Sequence, residues 1–504
     1  MRPFFAYQIN IQHNPLKLQM EQNDKNPVVS RRNFINNSAL AVGSFFLVPR
    51  HVLGKGYIAP SDRLNIAAVG GGGKGMSDIF NASNGGKNNV VALCDIDFDR
   101  AAQSISRFPK ATKYRDFRVM LEKEGANIDA LTISTPDHNH AVIAMAAMQL
   151  GKHVFVQKPL THNIYEARTL TEAARKYKAV TQMGNHGASN PDQKQMVEWF
   201  DKGLIGNVHT VQIWTNRPVW PQGIPVPTSK PAMPDGLAWD QWIGPAQMVD
   251  YHPGYHPFKW RGWWNFGTGA LGDIGCHTID SPFRVLGLNY PTEVECSVGA
   301  VFIKDWTPEW IPEGCPPSSQ VQIKFPATAK NKSEMNMIWM DGGLRPFRHE
   351  WIPADEPLSD DGGQNGVLMI GKKGIISCGM YGLNPKVFLK NGTKIEPPKE
   401  TTPTARPAEW NHQVLWTEAC KAGFDSDLHK ALTSSFDYSG PLTETVLMGN
   451  LAIRSYMLRK AKGSGWDYFG RKKLIWNGND MKITNFEEAN QFVSRQYREG
   501  WKLG

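Results

Sequence analysis

The chain is 504 residues long, 20% charged and 41% hydrophobic, an ordinary globular balance with room for two or three domains. Its formal net charge of +9 is concentrated at the front, where residues 1–60 hold seven Lys/Arg against Glu21 and Asp24; the remainder is close to neutral and free of basic runs, which excludes a nucleic-acid footprint. The six cysteines (Cys94, Cys276, Cys296, Cys315, Cys378, Cys420) include no C-x-x-C pair, which argues against a zinc or iron–sulfur site and leaves disulfides open.

Ser30-Arg31-Arg32-Asn33-Phe34-Ile35 precedes the apolar run at 39–48. Paired arginines before a short apolar stretch read as a twin-arginine export signal in a leader over residues 1–57, and predict a periplasmic protein. The run is too short to anchor the mature chain in a bilayer. No cysteine stands beside it for lipid attachment, and Met20 is an alternative start that leaves a signal of ordinary length. This route carries folded proteins, so a nucleotide made in the cytoplasm would be loaded before export.

Residues 62–184 read as a doubly wound α/β domain. Leu64–Val69 is a β-type run followed at once by glycines, of which Gly70, Gly72 and Gly75 fit G-x-G-x-x-G. The first permits a tight turn, the second a close approach of pyrophosphate, and the third close helix–strand packing. Strand Asn89–Leu93 runs into Asp95, 20 residues beyond Gly75. A carboxylate there binds a ribose 2′-OH and repels a 2′-phosphate, which favours NAD over NADP, although Arg100 stands close. Ala101–Phe108 and Phe117–Lys123 predict short helices, Ile128–Ser134 a buried strand, and His140–Leu150 an apolar helix stopped by Gly151. A further strand ends on Lys158-Pro159. Asn163-x-x-Glu166 resembles a capping box for a helix to Lys176, and Val180–Met183 is the last strand. Thr135–His140 and Gln157–Pro159 fall at carboxyl ends of strands, where ligands bind in parallel sheets. Asn185 and His186 follow the last strand toward the same cleft. His138 and His140 lack a third ligand nearby and make a poor metal site; contact with cofactor or substrate is the better reading.

Together these residues resemble the Gfo/Idh/MocA family (glucose–fructose oxidoreductase and inositol dehydrogenase). Four motifs carry the resemblance: Gly70–Gly75; Thr135-Pro136-Asp137-His138-Asn139-His140; Gln157-Lys158-Pro159; and Asp273-Ile274-Gly275-Cys276-His277. The ending, 484–490 with 497–501, looks like the exported branch found in sugar-degrading bacteria. The resemblance implies that residues 185–504 form an α+β domain with an open, mostly antiparallel sheet. Strand-like runs at Val208–Trp214, Glu293–Ile303, Gln320–Phe325, Met335–Met340, Val367–Ile370 and Val387–Leu389 agree. Helices are expected at Gly269–Leu286, Trp410–Ala422 and Pro441–Lys460, with long loops at 218–234 and 397–407.

The resemblance also implies site roles. Gly70, Gly72, Gly73, Gly75, Asp95, Thr135, Pro136, His138, His140, Gln157 and Lys158 would contact NAD. Lys158, Asp273 and His277 would be catalytic. Alcohol oxidation needs a base for the hydroxyl proton, which suits histidine. A carboxylate four residues away on a helix can orient the imidazole, and a lysine can stabilise alkoxide character. Gln157 departs from the family's glutamate and brings no negative charge to Lys158. Seven tryptophans lie between Trp214 and Trp264, suited to stacking on sugar rings or to core packing; Tyr255 and Arg261, with Asn185 and His186, are the expected substrate contacts. The expected activity is NAD-dependent oxidation of a sugar or glycoside hydroxyl, with C3 of a glucoside foremost. An NAD-dependent glycosidase and a non-catalytic sugar-binding protein are the alternatives, and copies are expected to pair through the open sheet.

Overall fold

The computed structural model describes residues 62–359, 363–398 and 408–503; the expected export leader lies outside them. Six parallel strands form the first sheet: β1 (Asn65–Val69), β2 (Asn89–Cys94), β3 (Thr112–Tyr114), β4 (Ala130–Ile133), β5 (His153–Val156) and β6 (Thr181–Met183). Their order is β3-β2-β1-β4-β5-β6. β4 is buried along its whole length, because helices cover both faces, and strands of that kind read as continuous apolar runs. The strand order reverses between β1 and β4, and the loops leaving their carboxyl ends diverge into a crevice.

Helix α1 (Lys74–Ala82) follows β1, α2 (Ala102–Arg107) follows β2, and α3 (Phe117–Glu124) follows β3. Helix α4 (Asp137–Gln149) begins three residues before its expected start. Pro136 holds the extended N-cap conformation, and Asp137 in the first turn suits the positive end of the helix. Helix α5 (Ile164–Lys176) is capped as expected by Asn163, whose Oδ1 accepts the Glu166 N–H at 3.0 Å. The return bond differs: Glu166 accepts the N–H of His162.

After α6 (Pro191–Asp201) the chain builds a ten-stranded sheet from β7 (Val208–Trp214), β8 (Glu293–Val298), β9 (Ser319–Phe325), β10 (Met335–Met340), β11 (Gly366–Gly371), β12 (Gly374–Cys378), β13 (Lys386–Leu389), β14 (Lys394–Ile395), β15 (Leu474–Asn477) and β16 (Lys482–Ile483). The order is β14-β13-β12-β11-β7-β10-β9-β8-β15-β16, antiparallel except where β7 meets β10. Along β9, Val321, Ile323 and Phe325 are buried while Gln320 is exposed, the alternation of a sheet packed on one face. The expected helix over 269–286 is broken into α7 (Gly269–Thr278) and α8 (Asp280–Val285). Pro282 has no N–H for the Thr278 carbonyl and its ring would collide with it.

Helix α9 (His412–Ala422), expected among the late helices, returns to the first sheet. Its Trp416 is wholly buried, 5.6 Å from the Phe155 ring, and donates to the Val180 carbonyl at 3.3 Å. Helix α10 (Phe436–Tyr456) packs on α5, α7 and β8. A boundary at residue 184 therefore separates the strands of the two sheets but not their cores.

The tightest backbone contact in the nucleotide-type turn lies between Gly75 and Gly70: a Cβ on Gly75 would stand 1.9 Å from the Gly70 carbonyl oxygen. Gly75→Ala is expected to destabilise the protein by about 1–3 kcal/mol by overpacking. Gly125→Ala, where an added Cβ meets nothing within 4 Å, should leave stability level; urea unfolding of the two variants checks the contrast.

Candidate active site

A cleft of about 850 Å³ opens where the carboxyl ends of β1, β4 and β5 face α7. At one end lies the glycine loop. Gly70 and Gly73 adopt positive φ of 86° and 56°, which glycine reaches without strain. A Cβ on Gly72 would meet the Arg100 carbonyl oxygen at 2.9 Å. Helix α1 has no side-chain cap on its first N–H groups, which leaves them for an anion. Asp95 stands just past β2 and accepts the N–H groups of Gly71 and Gly72 at 2.7 and 3.2 Å. Burial raises its pKa, against those N–H groups and that of Asp97. A cradle closed to side chains, free helix N–H groups and a carboxylate beside them fit a dinucleotide.

Behind the loop, Asp78 on α1 is wholly buried. Its Oδ1 accepts from Lys74 Nζ at 2.6 Å and Gln413 Nε2 at 2.9 Å; its Oδ2 accepts from Ser134 Oγ and Gln157 Nε2, both at 2.8 Å. Gln157 Oε1 in turn accepts the Lys158 N–H at 3.3 Å. Gln157 itself brings no charge; the Asp78 carboxylate, paired with Lys74, stands directly behind its amide. Gly184 makes room for the arrangement, since a Cβ there would lie 2.5 Å from Gln157 Nε2. Lys74 also pairs with Glu409 at 2.8 Å. Glu409, Trp410 and Asn411 all have positive φ, a conformation costing about 1–3 kcal/mol per residue that persists only where contacts impose it.

At the other end, Lys158 Nζ donates to the Asp273 carbonyl at 2.6 Å and to its Oδ1 at 2.9 Å, and Arg261 Nε donates to the same Oδ1 at 3.1 Å. Burial would raise the Asp273 pKa, but Lys158 and Arg261 outweigh it and hold the carboxyl at about 2. His277, one turn along α7, makes no hydrogen bond with Asp273; its Nδ1 is buried without a partner. The expected Asp273–His277 dyad is therefore corrected: the Asp273 carboxylate takes Lys158 and Arg261 on its Oδ1 and makes no hydrogen bond to the imidazole. Burial first, then Lys158 and His186, holds the His277 pKa well below the ordinary value, so the imidazole is neutral. Its ring lies 4.7 Å from Tyr381 and 5.4 Å from His186, which stacks on Trp410 at 5.7 Å. Asp137 also lines the cleft; burial lifts its pKa to about 7, against a hydrogen bond from Thr268 at 2.6 Å.

Gly70, Gly72, Gly73, Asp95, Thr135, Pro136, Gln157, Lys158, His186, Arg261, Asp273 and His277 all line this cleft; Gly75 acts through its packing on Gly70. Four expected contacts do not face it. The ring nitrogens of His138 lie 3.1 and 2.8 Å from the carbonyl oxygens of Phe266 and Trp242, and those of His140 lie 2.8 Å from Pro159 and Thr135. Both are buried struts that fasten the α4 turn. Asn185 is buried beneath Ser434, whose hydroxyl donates to its Oδ1. Tyr255 packs between Trp263 and Phe266. All seven tryptophans between 214 and 264 are buried; of these, Trp220, Trp242 and Trp260 reach the cleft. Asp78, Tyr381, Glu409 and Trp410 were not singled out in the sequence. Asp78 carried one faint signal: an acid at the Ile79 face of a helix that must pack on the sheet.

The histidines set a pH dependence. Burial lowers the pKa of His138 and His412 to about 3, and of His140 and His186 to about 4. An unfolded histidine takes its proton near about 6.5, so below that pH the unfolded chain binds more protons. Their contribution is intact above about pH 6.5 and is lost as pH falls toward 4. Buried acids run the other way, with Asp137 raised to about 7 and Asp341 to about 6, but they are outnumbered by the lowered histidines, which include His256 at about 4 and His162 and His277 well below the ordinary value. Thermal melting should therefore drop between about pH 7 and pH 5; a level or rising melting temperature would contradict these assignments.

Residues 64–185 match the model described as the NAD-binding Rossmann fold of an oxidoreductase family, and residues 196–303 match its C-terminal alpha/beta domain. The chain is 24% identical over 218 residues to levoglucosan dehydrogenase of Pseudarthrobacter phenanthrenivorans, covering 43% of this chain and 46% of that protein. It is 27% identical over 164 residues to glycosyl hydrolase family 109 protein 2 of Akkermansia muciniphila, covering 30% and 34%. The chain thus spans less than half the length of these curated relatives. The solved inositol dehydrogenase homolog from Azotobacter vinelandii, complexed with NADH and myo-inositol, superposes with a TM-score of 0.53 at 17% identity, covering 80% of this chain and 97% of that one. That likeness concerns the fold. Both family domains are matched in order, and the glycine cradle and Lys158 lie on one cleft, so residues 64–303 carry the two domains of the Gfo/Idh/MocA oxidoreductase family.

Proposed function

We propose that this protein is an NAD-dependent oxidoreductase that moves hydride between a sugar or glycoside hydroxyl and nicotinamide. The observation that carries the reading is the pairing of a neutral, unpartnered His277 Nδ1 with the Lys158 ammonium on one wall of a dinucleotide-sized cleft. NAD, when bound, supplies the hydride acceptor. Lys158 donates a hydrogen bond to the reacting hydroxyl oxygen and stabilises its alkoxide character. His277, being neutral, takes the hydroxyl proton. Asp273 keeps Lys158 aimed while Arg261 shares its carboxylate. Trp220, Trp260 and Phe258 offer apolar faces to the substrate end. Asp95 supports NAD over NADP. The Arg31-Arg32 leader supports twin-arginine export to the periplasm, and C3 of a glucoside is the first position to test.

The purified protein with NAD should form NADH on a panel of glucosides and cyclic polyols. Lys158→Ala and His277→Ala should each lower kcat by about 10²–10⁴ while NADH fluorescence still reports binding. Undiminished turnover in both variants would remove these residues from the mechanism. Aglycone release with no net NADH would replace the activity with a redox-assisted glycosidase. In a separate comparison, Asp95→Ser should raise kcat/KM for NADP relative to NAD; an unchanged ratio would show that Asp95 does not read the ribose.

A further inference from the structure

A second, much smaller cavity lies behind the Lys158 loop. Its volume is about 20 Å³, and its lining includes His162, Asn163, Thr268, Asn450 and Arg454, with Trp264 and Phe492 as apolar walls. Thr268 also stands at the N-cap position of α7 and donates its hydroxyl to Asp137. The cavity therefore touches the loop after Lys158, the start of the helix bearing Asp273 and His277, and α10.

Its polar atoms are out of balance. The His162 ring reaches only the Trp264 backbone, which leaves one of its nitrogens without a partner, and Asn163 Nδ2 and Asn450 Oδ1 have none. These residues are only 9%, 5% and 6% exposed. Buried polar groups are satisfied in more than about nine cases in ten, so three such atoms around one small space call for an occupant. The amide of Asn163 is fixed, because its Oδ1 accepts the Glu166 N–H, which turns the NH₂ into the unpartnered end. Asn450 is fixed likewise by its donation to the Thr268 carbonyl at 2.8 Å.

The guanidinium of Arg454 completes the set. Among the described residues no carboxylate lies in ion-pair reach of it and it donates no hydrogen bond; it rests 4.4 Å from the Phe492 ring and 5.8 Å from Trp264. Burial lowers its pKa to about 10, which leaves it charged. Glu166 is already matched: it pairs with Arg495 at 2.7 Å and accepts from Tyr497 and His162 N–H. Arg495 Nε and Nη1 are unpartnered as well. Two cations and one carboxylate leave a net positive charge here. Donors exceed acceptors, since guanidinium and amide NH₂ only donate and a neutral imidazole has one N–H. Arg454 is half-buried rather than enclosed, so water reaches it, and an anion gains there by meeting a guanidinium that has no carboxylate partner among the described residues.

We propose that this cavity is a binding site for a monatomic anion, chloride under ordinary conditions, held by Arg454, Asn163 and His162. The anion ties the Lys158 loop to α10 and to the start of α7. Crystals of the full chain grown with sodium bromide in place of chloride test it directly. An anomalous bromine peak in the cavity beside Arg454 is expected. Melting temperature should also rise by roughly 2–4 °C in chloride over gluconate at equal ionic strength, because gluconate is too large to enter. Arg454→Gln should abolish that difference. A cavity holding only water, with no anomalous peak, would overturn the proposal; so would a chloride effect of equal size in Arg454→Gln. Should that variant not fold, the bromide map of the unmodified protein decides alone.

Discussion

A carboxylate shut away from water has to be surrounded by donors, and Asp78 meets that condition with four of them. Each comes from a different place: Lys74 from its own helix, Ser134 from the end of β4, Gln157 from the end of β5, and Gln413 from α9. Leaving such a group unpaired costs about 3–5 kcal/mol, so the four segments are held in register. Three of them border the cleft. The glycine loop, the Thr135 turn and the Lys158 peptide are therefore positioned by one buried charge rather than by three separate devices.

The reaction end of the cleft follows from a second constraint, the sharing of Asp273. Lys158 and Arg261 both converge on its Oδ1, and neither oxygen makes a hydrogen bond to His277. The imidazole is thus left neutral among cations. A carboxylate oriented toward histidine would have raised its basicity in the unliganded protein. Here that role is given up in favour of a fixed ammonium, and the proton acceptor is kept uncharged by burial and by the lysine beside it. The two groups that would act on the hydroxyl are consequently in the complementary states its oxidation needs, one charged donor and one neutral acceptor.

Much of the first sheet was legible because its signals are local. Gly70, Gly72 and Gly75 lie within one turn, Asp95 at a fixed spacing, and Lys158 at a strand end. The break at Ile279 was legible too, in Pro282, but lost beneath the apolar run around it. What could not be read depends on long-range closure. Gln413 and Glu409 reach the glycine helix from more than three hundred positions away, and nothing in their own neighbourhood marks them. His138 and His140 misled for the opposite reason: polar residues beside a cleft motif suggested ligand contact, whereas their rings brace backbone carbonyls inside the turn. Tyr255 and Trp263 show the same ambiguity among aromatics, since stacking on a sugar and stacking on each other use one chemistry.

In the proposed reaction hydride passes directly between substrate carbon and nicotinamide in the cleft between β4, β5 and α7. Its most direct measurement is isotopic. The protein is incubated with NAD and a glucoside carrying deuterium on its ring carbons, and the reduced cofactor is isolated and weighed by mass spectrometry. The account predicts one substrate-derived deuterium in each NADH. Bound sugar with no deuterium transferred to the cofactor would contradict it.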